Sequence, residues 1–392
     1  MKTFFVVVAL AEIVMLLALF LAGRRHVLAG LKTPYGGPAR LPKEPAVAMI
    51  IPVTGDSAAT RAGIESLLAQ DYAGLRYVLV TRDEADPATA FVRRLIASRN
   101  DAVHLVSGPA SRCGQKNHNL LAGVEHVGNE ADILIFCDST HVARPDLARL
   151  LIHPIASGRA VLSAGFHRVV PLDGRVSTLG MQNVNMALHC LQPIRAITQP
   201  WGGAMAVCRT VFEEHGVAEV WAGNIVDDFS IGPHLARRGI RAWPVAEACL
   251  DTPLKDVPVS YWRDWLTRQL LYLKFCTPEM WLGSIVVVLS FAAPPVLALW
   301  GVLGIFWGLT GFWWLVAALL YAAAFTAVGM AFRTLSPRMV GAWEWTKGFF
   351  ATPLMTAWCY ALTWTTFTMN WRGIAYRVTW GGRVVEVLRG ES

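Results

Sequence analysis

The chain of 392 residues is 54% hydrophobic and only 16% charged, with a mean hydropathy of +0.41, too apolar for an ordinary soluble protein of this length. Its 33 glycines and 21 prolines follow no fixed period or low-complexity run, which excludes collagen-like and disordered classes. The net charge of +7 suits anionic headgroups or a negatively charged small substrate. No nucleic-acid role is expected, because no basic–aromatic stripe lies outside the membrane-facing segment.

In chain order, residues 4–23 form an apolar run interrupted only by Glu12 and followed by Arg24, Arg25 and His26. This reads as a retained transmembrane anchor over 1–26, whose positive flank places the next segment in the cytoplasm. Residues 45–257 then alternate β-rich runs (47–51, 77–80, 103–106, 133–136) with amphipathic stretches (58–70, 87–98, 115–126). That alternation predicts an α/β domain with a mostly parallel sheet covered on both faces, and ligands gather at the carboxyl ends of such strands. Seven cysteines without a Cys-x-x-Cys pair read as reduced thiols, in keeping with a cytoplasmic domain. Residues 258–280, with Tyr261-Trp262-Arg263-Asp264-Trp265, read as an interfacial helix.

Region 281–370 holds apolar stretches at 282–307, 311–332 and 348–369. Three full crossings would export the Arg-bearing tail, 371–392, against the positive-inside tendency. Either 348–369, with Glu344 and Lys347 at its start and Pro353 inside, is interfacial or re-entrant, or the first stretch is a hairpin at Pro294-Pro295. The former is preferred. The expectation is a multi-pass membrane protein, in the inner membrane if the source is bacterial.

The acidic residues cluster at strand ends. Asp83 and Asp86 follow 77–80 at a strand end where ligands gather, although one of them could simply cap the helix that Pro87 opens. Asp138 follows the most apolar strand, placed to hold a divalent cation over a diphosphate or, with Ser139, to cap a helix. Asp227-Asp228 lead into a further helix; adjacent like charges raise one pKa, which suits a general base, although helix-dipole stabilisation alone would also favour them.

With these motifs the chain resembles glycosyltransferase family 2, inverting enzymes of the nucleotide-diphosphosugar (GT-A type) fold, and within it the ceramide glucosyltransferase-like branch. The resemblance spans nearly the whole chain: three spaced aspartates (Asp86 with Asp83, Asp138, Asp228), the Gly114-Gln115-Lys116-Asn117-His118-Asn119 segment, Asp138-Ser139-Thr140 with a single acid, His189, and the tail Trp371-Arg372-Gly373 with Gly381-Gly382. It implies Asp228 and Asp227 as catalytic residues and Asp138 as the ligand of Mg2+ or Mn2+. Pro52, Thr54, Asp83, Asp86, Lys116, Asn119, Arg268 and Tyr272 become donor-binding residues, and His189 and Trp201 face the acceptor. It also implies a nucleotide-sugar donor, a UDP-sugar favoured, with glucose or a close relative passed to a membrane lipid, ceramide-like favoured. The family's last motif carries a second basic residue where this chain has Leu271, for which Arg263 or Lys274 are the nearest substitutes. Rival readings are a polysaccharide synthase, which requires more spans, and a non-catalytic membrane protein, for which Glu12 inside the first span would speak.

Overall fold

The computed structural model describes residues 1–38 and 44–389. Its elements are α1 (Lys2–Lys32), β1 (Val47–Pro52), α2 (Ala58–Leu68), β2 (Leu75–Thr81), α3 (Pro87–Ile96), β3 (Ala102–Val106), α4 (Gln115–Val127), β4 (Ile133–Cys137), α5 (Leu147–Ala156), β5 (Leu162–Pro171), α6 (Val176–Leu191) and β6 (Ala204–Cys208). There follow α7 (Arg209–Glu214), α8 (Val217–Gly223), α9 (Asp228–Ala236), β7 (Trp243–Leu254), α10 (Val259–Cys276), α11 (Pro278–Gly304), α12 (Phe312–Arg333), α13 (Ala342–Thr365), β8 (Thr368–Trp371), β9 (Ile374–Val378) and β10 (Val384–Arg389).

Seven strands form one sheet in the order β3-β2-β1-β4-β6-β5-β7. The predicted β1 to β4 pair in parallel, while β6 runs antiparallel between β4 and β5. Strand alternation assigns the two faces: Val47, Met49 and Ile51 pack with α2, α3 and α5, and Ala48 and Ile50 pack with α4, α8 and α9. These β1 side chains are 0–1% exposed, and each large one contributes on the order of 1.5–3 kcal/mol by burial. Because β1 and β4 are central, their carboxyl ends open onto the middle of the sheet edge.

Among the described residues, three helices are long and apolar enough to cross a membrane: Lys2–Lys32, the stretch Pro278–Trp307, and Phe312–Arg333. Their outward side chains, among them Val7, Leu10, Leu21, Val286, Leu299, Trp313 and Leu320, are exposed, the surface a lipid environment would cover. Glu12 is fully buried, and its Oε2 accepts a 2.9 Å hydrogen bond from Tyr321, tying α1 to α12. The hairpin alternative at Pro294-Pro295 fails, because α11 runs unbroken through both prolines. α13 is not among the three apolar helices; it packs against α6 and α10. Within the aromatic run expected at the interface, Trp262 is 2% exposed, its ring so close to Gly180 of α6 that a Cβ there would meet it at 2.3 Å. It is a core residue of that junction, whereas Tyr261 stays exposed.

The tail is a three-stranded antiparallel sheet, β10-β9-β8, described to residue 389; residues 390–392 of the expected tail lie outside the described part. Arg372 and Gly373 form the two-residue loop between β8 and β9. The tail sheet returns to the seven-stranded domain and to α10: Gly382 O accepts from Ile225 N at 2.9 Å, and Phe275 O accepts from both Gly381 N and Gly382 N.

Candidate active site

The site lies beyond β1 and β4 and is assembled from segments distant in sequence. Helix α4 begins right after Gly114, whose N–H donates to Asn224 O and whose Cα lies so near the 224–228 loop that a Cβ would meet Ile225 O at 2.2 Å. Asn117 secures the same junction, donating to Asn224 O at 3.0 Å. This close approach sets Lys116 between two acidic motifs. Its Nζ is 2.8 Å from Asp138 Oδ1 and 2.9 Å from Asp227 Oδ2, and it donates to Gly202 O at 3.2 Å. Burial works against its charge, but the carboxylates of Asp138, Asp227 and Asp228 outweigh burial and raise its pKa.

Asp227 and Asp228 play different parts. Asp227 is 1% exposed and packs so tightly on Gly202 that any side chain there would collide with its Oδ2. Asp228 is half-buried, its Oδ2 accepting from Gly202 N at 3.0 Å and its Oδ1 from Phe229 N at 2.7 Å. Burial, reinforced by the Asp227 charge, raises the Asp228 pKa to about 7, the range of a general base at neutral pH. Tyr272 is near enough to feel Arg268 and Asp228, and burial pushes its phenol up to about 12.

At the end of β1, Asp86 does cap α3, accepting from Ala88 N at 2.9 Å. It also receives Gly55 N at 2.9 Å and Thr54 Oγ1 at 2.7 Å, so it shapes the loop after Pro52. Asp83 pairs with Arg82. Asn119 is 3% exposed; its amide bonds Val80 O, Ser107 Oγ and Gln115 Nε2, which makes it a bracket behind the loop.

The basic positions of α10 diverge from expectation. Leu271 is 5% exposed within a cluster with Val226, Phe275, Ile374 and Tyr376, packed as an apolar residue against the tail sheet. Lys274 is no substitute: its Nζ donates to Thr363 O and Thr366 O, closing the carbonyl end of α13. Arg263 pairs with its neighbour Asp264, roughly two and a half helical turns from Tyr272. Arg268 remains, half-buried and without an ion pair among the described residues.

Of the two residues expected to face an acceptor, Trp201 stacks on His167 with ring centres 4.7 Å apart and meets Phe166 at 5.6 Å. Phe166 in turn lies 5.1 Å from His189. His189 lines a small cleft with Val27, Arg168, Gln182, Asn185 and Met186; its Nε2 has no hydrogen-bond partner among the described residues, and burial, with His26 beside it, lowers its pKa to about 3, so the ring is neutral. The sequence reading missed His141 and His167, whose Nδ1 atoms share Thr252 Oγ1 at 2.8 Å each. The available signal was His141 itself, three residues after Asp138.

Among the described residues no three His, Cys, Asp or Glu side chains converge as a metal cage. The donor set of Asp138, with Asp227 and Asp228 nearby and Lys116 already supplying one positive charge, fits a Mg2+ or Mn2+ that takes most of its ligands from a diphosphate.

The family model for glycosyl transferase family 21 matches residues 4–384, so the chain belongs to that family and is a glycosyltransferase; the family is 21 where the sequence motifs resembled family 2. No curated protein matches the sequence. Solved structures resemble it at low identity. The mannosyltransferase PcManGT from Pyrobaculum calidifontis, in complex with GDP-Man and Mn2+, is 16% identical with a TM-score of 0.46, over 90% of this chain and 99% of that one. GalNAc-T7 with UDP, GalNAc and Mn2+ is 11% identical with a TM-score of 0.40, over 60% of this chain and 49% of that one. Glucosyl-3-phosphoglycerate synthase from Mycobacterium tuberculosis in complex with phosphoglyceric acid is 18% identical with a TM-score of 0.35, over 58% of this chain and 80% of that one.

Proposed function

With family 21 membership as the premise, we propose that the protein transfers a sugar, glucose or a close relative, from a nucleotide-diphosphate donor, a UDP-sugar favoured, to a hydroxyl of a membrane lipid, with inversion at the anomeric carbon. The observation that carries this reading is the Lys116 bridge, which holds Asp138 and Asp227 together while leaving Asp228, with its raised pKa, half-exposed at the strand ends. Asp228 takes the proton of the acceptor hydroxyl as that oxygen attacks, and Gly202 N and Phe229 N fix the carboxylate's orientation. Asp227 serves by keeping Asp228 basic and Lys116 in place. Lys116 stands where negative charge grows on the departing diphosphate. A Mg2+ or Mn2+ held by Asp138 and the donor phosphates would supply further charge stabilisation.

A lipid acceptor, ceramide-like favoured, is supported by the cleft of His189, which opens between α1 and α6 beside the apolar helices. Its polar lining of Gln182, Asn185, a neutral His189 and Arg168, whose charge is paired with Asp251, supports a polar headgroup entering from the bilayer. The topology has its own support. The tail sheet packs on the catalytic domain, so an even number of crossings joins them: α11 and α12 cross and α13 lies at the interface. The Arg24-Arg25 flank of α1 supports a cytoplasmic side for both.

The test is reconstitution in lipid nanodiscs with radiolabelled UDP-glucose and a panel of ceramide, diacylglycerol and hopanoid acceptors. The expected outcome is a lipid-soluble product of inverted anomeric configuration, absent with Asp228→Asn. Release of free sugar, or a water-soluble polymer, would refute the lipid acceptor.

A further inference from the structure

The α10 segment has Leu271 where the motif it resembles carries a second basic residue, and neither Lys274 nor Arg263 is free to serve in its place. The tail sheet, which packs over Leu271, brings a different cation to the site. Arg372 extends from the β8–β9 loop to the end of β1, where its Nη1 lies 4.0 Å from the point at which a Cβ would stand on Gly55. Gly55 and Thr54 are the residues whose N–H and hydroxyl bind Asp86. The Asp86 carboxylate is thus already satisfied by three donors, and Arg372 has no ion pair among the described residues, whereas its neighbour Arg377 pairs with Glu386.

The backbone at Arg372 is a second, independent sign. Its φ is +52°, and Gly373 follows at +77°, the two-positive-φ geometry of a tight hairpin loop. Glycine or asparagine adopts the first of those positions with little strain, and arginine does not. A disfavoured residue stands there, with its side chain reaching the Gly55 turn at the end of β1.

We infer that Arg372 is a donor-binding residue that grips the diphosphate of the nucleotide sugar together with Arg268, supplying the positive charge that the apolar Leu271 does not. A guanidinium matches phosphate oxygens in a two-pronged fork. The tail sheet is then part of the active site and not only its cover. This rests on the nucleotide-sugar reading above.

The decisive variant is Arg372→Gly, which removes the fork and relieves the backbone, so the protein should melt at or above the wild-type temperature. Binding of UDP, GDP and uridine is measured by calorimetry on full-length protein in nanodiscs. The expected result is a UDP affinity weakened about tenfold or more, with uridine affinity within twofold. Arg372→Lys, which keeps charge without the fork, should fall between. UDP binding within twofold of wild type in Arg372→Gly overturns the inference while leaving the glycosyltransferase reading intact, as does an equal weakening for uridine, which would mean that the loop only shapes the nucleoside site. If wild-type protein binds neither UDP nor GDP, the nucleotide-sugar reading fails first and the inference with it.

Discussion

The two sides of the site differ in kind. Around β1, β4 and α9, three carboxylates surround one ammonium, and the buried positive charge is held by opposite charge. Around α6, polar side chains are just as buried, yet uncharged and in part unpartnered: His189 Nε2, Gln182 Oε1 and both Asn183 amide atoms have no hydrogen-bond partner. Buried polar atoms left open are costly unless a ligand completes them. A charge-dense cleft beside one whose polar atoms are in part unsatisfied is what a phosphorylated donor and a polar acceptor headgroup require of a single protein.

The largest effect expected on this contrast is at Asp228. Asp228→Asn should lower kcat by about 10²-fold or more with donor affinity nearly unchanged; a variant keeping more than a tenth of wild-type kcat would move the base elsewhere. Next comes Leu271→Arg, which places a charge in the apolar cluster beneath the tail sheet. Unfolding free energy should fall by roughly 3 kcal/mol or more, read by denaturant titration, with no gain in activity. Higher activity from this variant would mean that the position still serves the donor.

The pH profile gives a smaller but sharper test. Since Asp228 must be ionised to act and its pKa is raised to about 7, kcat/KM should climb from pH 6 to pH 8 and flatten above. Asp227→Asn removes the neighbouring charge and should shift this limb to lower pH, with some fall in rate because Lys116 is left with one fewer partner. An unmoved limb would disconnect the two aspartates. The smallest effect is expected across the contrast: His189→Ala should raise the acceptor KM several-fold and leave the donor KM alone. A change in donor KM would break the division of the site into two sides.

Much of the domain could be read directly from local pattern. The runs at 47–51, 77–80 and 133–136 announce themselves because strands buried on both faces are almost wholly apolar, the half-buried edge run at 103–106 is marked by its β-branched residues, and the bounds of each lie within two residues of a strand in the sheet. The aspartates were legible for the same reason: Asp138 and Asp228 are polar residues where packing alone would not put them. The sequence also marked the three apolar helices and the weakness of the fourth, since span length is a matter of composition.

Only the tertiary structure decided which of these residues meet. Lys116 joins Asp138 and Asp227 from distant parts of the chain because Gly114 allows α4 to touch the 224–228 loop, a contact between backbones that no spacing rule reveals. Asn119, in the same motif, faces inward one turn later and becomes scaffold. Lys274 and Arg372 exchange expectations in the same way. The first, on the helix nearest the motif, is drawn into capping α13, and the second, far later in the chain, is carried to β1 by the tail sheet. Local sequence sets which side chains carry charge and which segments bury themselves; the partner of each charge is chosen by packing between distant elements.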